Sequence, residues 1–293
     1  MILAGGTVPA MQAMFIDIGD PASSAAGARF AVLHTPNSSP RGLVVYAHPF
    51  TEEMNKSRRM VAMQARALAG AGYAVLLPDL LGCGDSAGDF ADASWDGWIN
   101  ELVGACRWLR QSTLDHQHGS SGLAPLTLWG LRSGALLAAA AAAKLGDVRQ
   151  LLLWQPPANG KSLLQQFLRL HSAAALAGGV ERSGSSSTGA LKALLSAGQA
   201  VDVGGYRLNP AVAQGLEQAQ LSPASGVQHL HWLEISPREG ACLGPAAAST
   251  LATWQQAGTQ VHSAVVTGPA FWQTLEIEDA PALVDATLAV LAA

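Results

Sequence analysis

The sequence predicts an α/β fold in which a mostly parallel sheet is covered by helices on both faces. Two observations carry this prediction. After residue 40, short segments of strand length alternate with segments that have helical spacing, as in chains of β-α-β units. The strand-length segments are apolar throughout, which is typical of strands that are buried on both faces of a sheet. Apolar residues make up 49% of the 293 residues, so the chain can bury a large core.

Eight segments are predicted to be strands, because each is a short apolar run bounded by turn-forming residues. In chain order they are residues 15–18, 29–34, 43–48, 73–77, 126–129, 148–154, 230–235 and 261–266. Six segments have helical spacing or Ala-rich composition and are predicted to be helices, at residues 58–71, 95–109, 135–144, 162–177, 188–197 and 281–291. Together these elements predict one domain over residues 1–293.

Residues 158–225 interrupt the alternation of strands and helices. Two of the predicted helices lie there, joined by the Ser- and Gly-rich segment 180–189, whose composition is typical of a flexible surface loop. A second polar loop is predicted at 116–122. Because residues 158–225 follow a predicted strand, we expect a helical insertion that covers the carboxyl ends of the strands like a lid.

Composition and charge exclude several classes of function. The net charge of −4 offers no basic surface for nucleic acid. No C-x-x-C pair occurs, and the histidines of segment 116–122 have no third ligand nearby, so no metal site is predicted. Gly82 and Gly84 lack the third glycine of a dinucleotide-binding motif, so no cofactor is predicted.

The sequence predicts a cytoplasmic protein without a membrane span. Residues 1–15 are mildly apolar but lack the basic start and the compact apolar core of a signal peptide. The longest apolar run, at 135–143, is far shorter than the ~20 residues that cross a bilayer. An odd and sparse set of three cysteines is typical of a reducing compartment.

The residues that follow the predicted strands form the candidate site, because ligands of open parallel sheets bind outside the carboxyl ends of the strands. The most distinctive of them is the strand-to-helix turn 130–134, Gly-Leu-Arg-Ser-Gly, which has the two glycines of a nucleophile elbow. The other strand-end residues that we predict to contact a ligand are His48, Phe50, Gln155, Phe271 and Trp272.

Three stretches of the chain form a recognisable set: His48-Pro49, the Asp-x-x-Gly-x-Gly-x-Ser stretch at 79–86 and the turn 130–134. With them, residues 28–156 resemble the alpha/beta-hydrolase superfamily. Residues 48–59, 130–132 and 154–161 are similar in more detail to the exosortase A system-associated hydrolase type 2 group. The resemblance implies an ester or thioester (acyl) hydrolase of exopolysaccharide and exosortase systems, with a protein partner from that machinery. It also implies oxyanion contacts from two backbone N–H groups, one of Phe50 or its neighbour and the other of Ser133.

The catalytic triad that the resemblance implies is degenerate in this chain. Arg132 stands at the nucleophile position between the two glycines, and a guanidinium stays protonated and cannot attack a carbonyl. Ser133 could replace it only if the turn shifted by one residue, which would place Leu131 where a very small residue is needed. The loop 268–272 after the last strand has no histidine, and His262 lies inside that strand.

Several roles remain open for the residues near Arg132. Arg132 could form an internal ion pair with Glu52 or Glu53, or it could bind an anionic ligand at the start of the following helix. Glu52 or Glu53 could instead activate a water molecule as a general base, and Ser133 stays a further catalytic candidate. An acyl hydrolase therefore competes with a non-catalytic protein that binds an anionic or acyl ligand.

Overall fold

The computed structural model describes residues 10–19, 27–116, 124–177 and 187–292. Its strands are β1 (Ala10–Ile16), β2 (Arg29–Thr35), β3 (Gly42–Ala47), β4 (Tyr73–Pro78), β5 (Leu126–Leu131), β6 (Gln150–Trp154), β7 (Val201–Val203), β8 (Tyr206–Leu208), β9 (His229–Ser236) and β10 (Gln260–Thr267). Its helices are α1 (Glu52–Gly70), α2 (Trp95–His116), α3 (Ser133–Leu145), α4 (Gly160–Ala177), α5 (Thr188–Ser196), α6 (Pro210–Gln218), α7 (Pro245–Gln256) and α8 (Pro281–Ala292). The predicted loops at 116–122 and 180–189 lie mostly outside the described residues.

Eight of the strands form one sheet in the order β1-β2-β4-β3-β5-β6-β9-β10. β2 pairs antiparallel with both β1 and β4, and all the pairs from β4 to β10 are parallel. The prediction of a mostly parallel sheet is therefore confirmed. The carboxyl ends of the parallel strands lie along one edge of the sheet, where the candidate residues were expected.

Helices cover both faces of the sheet. α2 and α3 pack on one face, where the core includes Val45 and Leu128. α1 and α8 pack on the other face, where the core includes Val44 and Trp129. Successive residues of β3 and β5 point to opposite faces, and both faces are apolar because both are covered. This arrangement explains why continuous apolar runs predicted the strands.

Some elements differ from the sequence prediction. α1 begins at Glu52 instead of residue 58, because carboxylates in a first turn interact favourably with the helix dipole and allow the helix to start early. β1 covers residues 10–16 instead of 15–18, and all seven of its residues pair with β2. α6 and α7 were not predicted, although each begins at a proline, a residue that is common at the first position of a helix.

The insertion, residues 158–225, contains α4, α5, the β7-β8 hairpin and α6. Asn159 and Gln220 form an isolated antiparallel bridge near its two ends. α4 packs against α6, and Gly215 of α6 lies so close to Trp95 of α2 that a side chain there would collide with the indole. The insertion is thus packed against the rest of the chain near the carboxyl edge of the sheet.

Three neighbouring strands are followed by a non-glycine residue with a left-handed backbone. Thr51 comes after β3 with a φ of 60°, Arg132 after β5 with a φ of 54°, and Gln155 after β6 with a φ of 44°. L-residues rarely adopt such angles, and the strain persists only where the surroundings hold it. Backbone strain therefore coincides with the edge at which the sequence predicts a site.

Candidate functional site

The turn between β5 and α3 has the tight geometry that its two glycines predict. Arg132 adopts a φ of 54° and a ψ of −119° as the residue that precedes α3. A side chain at Gly130 would collide with the Gly134 carbonyl oxygen, and one at Gly134 would collide with the Ala47 carbonyl oxygen. The turn therefore lies directly against the end of β3, and glycine is required on both sides of it.

The Arg132 guanidinium is held by three side chains from three different parts of the chain. Its Nε donates to Glu53 of α1, at 3.1 Å from Oε1 and 3.4 Å from Oε2. Its Nη2 donates to Gln166 Oε1 of α4 at 2.9 Å. Its Cζ lies 5.9 Å from the centroid of the Trp272 ring, within the range of a cation-π contact. Only 12% of the Arg132 side chain is exposed. Its contacts connect α1, the insertion and the loop after β10.

Glu53, and not Glu52, is the carboxylate that faces Arg132. Burial raises the pKa of the Glu53 carboxyl, and the adjacent Arg132 guanidinium offsets part of that rise. Glu52 points away from Arg132 and accepts a hydrogen bond from the Tyr206 hydroxyl of β8 at 3.3 Å. A carboxylate with a raised pKa beside a cavity has the property expected of a general base.

Ser133 does not face the open side of the turn. Its side chain is fully buried, and its Oγ accepts a hydrogen bond from the Phe50 backbone N–H at 3.1 Å. This N–H is one of the two groups that the family resemblance implies for an oxyanion site. In this structure it is used to attach the loop after β3 to the start of α3.

His48 and Gln155 use their polar atoms to connect strands. His48 Nε2 accepts from the Leu80 backbone N–H at 3.1 Å, so its Nδ1 carries the proton and donates to the Pro49 carbonyl oxygen at 2.7 Å. Burial lowers the pKa of His48, which favours this neutral form. Gln155 Oε1 accepts from the Ile235 backbone N–H at 2.8 Å. Neither side chain lines the cavity beside Arg132.

A cavity of about 290 Å³ lies beside the Arg132–Glu53 pair, between the carboxyl edge of the sheet and the insertion. Its apolar wall consists of Phe50, Leu163, Phe167, Val203 and Trp272. Its polar lining consists of Thr51, Glu52, Glu53, Lys56, Gln166, Tyr206 and Gln273, together with the backbone of Gly204. The cavity thus combines an apolar wall with polar groups, as is usual for small-molecule sites.

Of the predicted wall residues, Phe50 and Trp272 line this cavity and Phe271 does not. The Phe50 ring packs edge-to-face on Phe167 of α4, with 5.1 Å between the ring centroids. The Phe271 ring is 1% exposed and packs against Trp154 in the core under α8, at 6.2 Å. Adjacent residues in the loop after β10 therefore have different roles, one in the core and one in the wall.

Asp79, Cys83 and His262 lie outside the cavity. The Asp79 carboxylate accepts a hydrogen bond from the Asp85 backbone N–H at 3.1 Å and pairs with Arg58 at 3.0 Å, so it fastens its own loop. Cys83 is buried, and burial raises the pKa of its thiol, so it is not poised to react. His262 stacks on His231 within the sheet, at 5.3 Å between ring centroids.

Sequence reasoning missed the residues that the insertion contributes to the cavity, which are Leu163, Gln166, Phe167, Val203, Gly204 and Tyr206. No motif marks them, because they reach the cavity only through the packing of the insertion on the sheet edge. It also missed the buried ion pair of Arg29 and Glu101, at 2.8 Å. Glu101 also accepts the Leu81 backbone N–H at 2.8 Å, so the pair holds the loop after β4.

The described ranges contain neither a candidate metal site nor a candidate membrane-spanning helix. No cluster of His, Cys, Asp and Glu there has the arrangement of a metal site. No helix among the described residues is both long enough and apolar enough to cross a membrane.

Comparisons with solved structures support the fold. No protein-family profile and no curated protein sequence matches the chain. Est1E from Butyrivibrio proteoclasticus with bound ferulic acid has a TM-score of 0.65 and 16% identity, over 95% of this chain and 98% of that one. A highly thermostable carboxyl esterase from Bacillus coagulans in complex with glycerol has a TM-score of 0.56 and 14% identity, over 97% and 98%. A serine hydrolase without a lid from Xanthomonas campestris has a TM-score of 0.53 and 17% identity, over 96% and 93%. The chain therefore has the alpha/beta-hydrolase fold.

Proposed function

We propose that the protein binds a small ligand with an acyl-type apolar body in the cavity beside Arg132, and that it does not hydrolyse esters through a serine. The observation that carries this proposal is the turn 130–134. Arg132 occupies its tip with a paired guanidinium, and the Ser133 hydroxyl is buried behind it. A serine hydrolase needs an exposed hydroxyl at that tip, within hydrogen-bond reach of a base. In this proposal the triad is degenerate and the cavity is retained for binding.

The composition of the cavity supports binding of an apolar body. Three aromatic rings and two aliphatic side chains form its apolar wall. Ferulic acid in Est1E and glycerol in the carboxyl esterase are small organic molecules held by proteins of this fold. On the sequence resemblance alone, we also propose that the protein works in an exopolysaccharide or exosortase system, where the ligand or a partner protein would be found.

The proposal is tested by narrowing the mouth of the cavity. Gln273 lines the cavity and is exposed, so Gln273→Trp places an indole at the mouth without entering the core. We expect this variant to lose most of the fluorescence increase that wild-type protein produces with anilinonaphthalene sulfonate. Leu275→Trp is the matched control, since Leu275 is 97% exposed and lies outside the cavity lining. Equal dye binding by the wild type and both variants would reject the cavity as the binding site.

A second candidate function is hydrolysis of an ester or thioester by a water molecule that Glu53 activates. The observation that favours it is the raised pKa of Glu53, which lines the cavity and sits beside a cation. Its first test is the release of p-nitrophenol from p-nitrophenyl butyrate by wild-type protein and by Glu53→Gln. Turnover that the substitution abolishes would establish this candidate, and a wild-type rate equal to that of buffer would reject it.

A further inference from the structure

The cations around the cavity differ in whether they already form an ion pair with a carboxylate of the protein. Arg58 pairs with Asp79, Arg59 with Asp279, and Arg132 with Glu53. The Nη2 group of Arg132 donates a hydrogen bond to Gln166 Oε1. An anionic ligand that entered the cavity would have to displace two protein side chains to reach Arg132. Arg132 is therefore a poor anchor for a ligand, although it is the cation that the sequence motif singles out.

Lys56 is the lining cation that forms no ion pair within 4.0 Å among the described residues. It lies one turn after Glu53 on α1, is partly buried and lines the cavity. The two carboxylates beside it on α1 have other contacts, since Glu53 pairs with Arg132 and Glu52 accepts a hydrogen bond from the Tyr206 hydroxyl. A lysine stem can pack along apolar surface while its ammonium reaches the polar end of a site.

The size and lining of the cavity limit what can accompany the anionic group. At about 30 Å³ for each water-sized group, a cavity of about 290 Å³ holds roughly ten non-hydrogen atoms. The same cavity is lined by the rings of Phe50, Phe167 and Trp272, which favour a hydrocarbon tail over a polar one. An eight-carbon carboxylate has ten non-hydrogen atoms and combines both features.

We propose that Lys56, and not Arg132, anchors the ligand, and that the ligand is a medium-chain acyl carboxylate whose tail packs against the aromatic wall. This inference rests on the proposed function, because it assumes that the cavity binds a small molecule. The carboxylate accepts hydrogen bonds from the Lys56 ammonium, and Arg132 keeps its contacts with Glu53 and Gln166.

Three probes with the same eight-carbon tail test this assignment by calorimetric titration: octanoate, 1-octanol and octylammonium. We expect wild-type protein to bind octanoate most tightly. Lys56→Met should weaken octanoate binding about tenfold and leave octanol binding within twofold, because a charge-assisted hydrogen bond is lost and the apolar wall is kept. Lys56→Glu should reverse the order so that octylammonium binds best, which misfolding cannot produce.

Two further variants separate this assignment from its rivals. Lys161→Met is the matched control, since Lys161 is exposed and does not line the cavity, and it should leave all three affinities unchanged. If Arg132→Met weakens octanoate binding and Lys56→Met does not, the anchor is Arg132 and the inference is overturned. If octanol and octanoate bind equally in wild type and in both Lys56 variants, the cavity binds ligands but has no anion anchor. If no probe binds wild-type protein, the proposed function itself fails.

Discussion

At the scale of single residues, the structure answers a question that sequence reasoning left open. Adjacent residues at a helix start can point in either direction, so the sequence could not distinguish Glu52 from Glu53 as the partner of Arg132. Because α1 begins at Glu52, its helical phase turns Glu53 toward the sheet and Glu52 toward the insertion. The direction of the Ser133 hydroxyl could not be predicted from the sequence either, since it depends on the close approach of the turn to Phe50.

The Arg132–Glu53 pair should contribute measurably to stability. Arg132→Met leaves the partly buried Glu53 carboxylate without its cation, and we expect a loss of about 2 kcal/mol in the free energy of unfolding at pH 8. The double variant Arg132→Met/Glu53→Gln should recover part of this loss, because the uncompensated charge is removed. Urea unfolding followed by circular dichroism measures both values, and an unchanged midpoint in Arg132→Met would contradict the account.

The same pair should give a pH dependence with a defined sign. The pKa of Glu53 is raised in the folded state, so the folded protein binds a proton more readily than the unfolded chain does. The favourable contribution from protonation is complete below the ordinary carboxyl pKa and is lost as the pH rises through the raised value. Without Arg132 the pKa rises further, so the destabilisation of Arg132→Met should shrink between pH 8 and pH 5. A loss that grows toward pH 5 would contradict this sign.

At the scale of elements, the turn between β5 and α3 places Arg132, and the first turn of α1 places Glu53 opposite it. The turn was predictable, because two glycines between an apolar strand and an Ala-rich helix indicate a tight strand-to-helix turn. The early start of α1 was not predicted, and it moves Glu53 and Lys56 from an expected loop onto a helix. The insertion was predicted only as helical segments. Its β7-β8 hairpin, which carries Tyr206, was missed because strands of three residues are too short to show a distinctive sequence pattern.

The close approach of the turn to β3 predicts a severe effect of one added methyl group. Gly134→Ala would force its Cβ into the Ala47 carbonyl oxygen, and the neighbouring His48 carbonyl oxygen blocks relief on that side. We expect a loss of about 3 kcal/mol or more, or no folded protein. Gly70→Ala at the end of α1 is the matched control, since nothing lies near the added Cβ, and its midpoint should be equal or higher. Equal stability of the two variants in urea unfolding would show that the turn is not closed in this way.

At the scale of the whole molecule, the fold could be predicted from the sequence and the cavity could not. Apolar strand runs and helical spacing are local properties, and they are enough to predict a parallel sheet with its candidate residues on one edge. The cavity joins residues 50–56, 163–167, 203–206 and 272–273, which meet only when the insertion packs on that edge. Arg132 drew attention because of its motif, whereas Lys56 and Phe167 acquire their roles from packing.

We propose that the chain unfolds as a single unit, as the domain prediction for residues 1–293 requires. The insertion is joined to the rest of the chain by the Arg132–Gln166 hydrogen bond and by the packing of Phe167 on Phe50. Thermal unfolding should therefore give one transition with the same midpoint by circular dichroism and by tryptophan fluorescence. Two separate midpoints would show that the insertion is an independent unit.

The central claim is that the turn 130–134 carries no serine nucleophile, and fluorophosphonate labelling of the pure protein, followed by intact mass, tests it most directly. Wild-type protein should show no added mass at a concentration that fully labels a serine esterase in parallel. Ser133→Ala should give the same spectrum, since the Ser133 hydroxyl is buried and bonded to Phe50. Stoichiometric labelling of wild type that disappears in Ser133→Ala would contradict the account and identify the protein as a serine hydrolase.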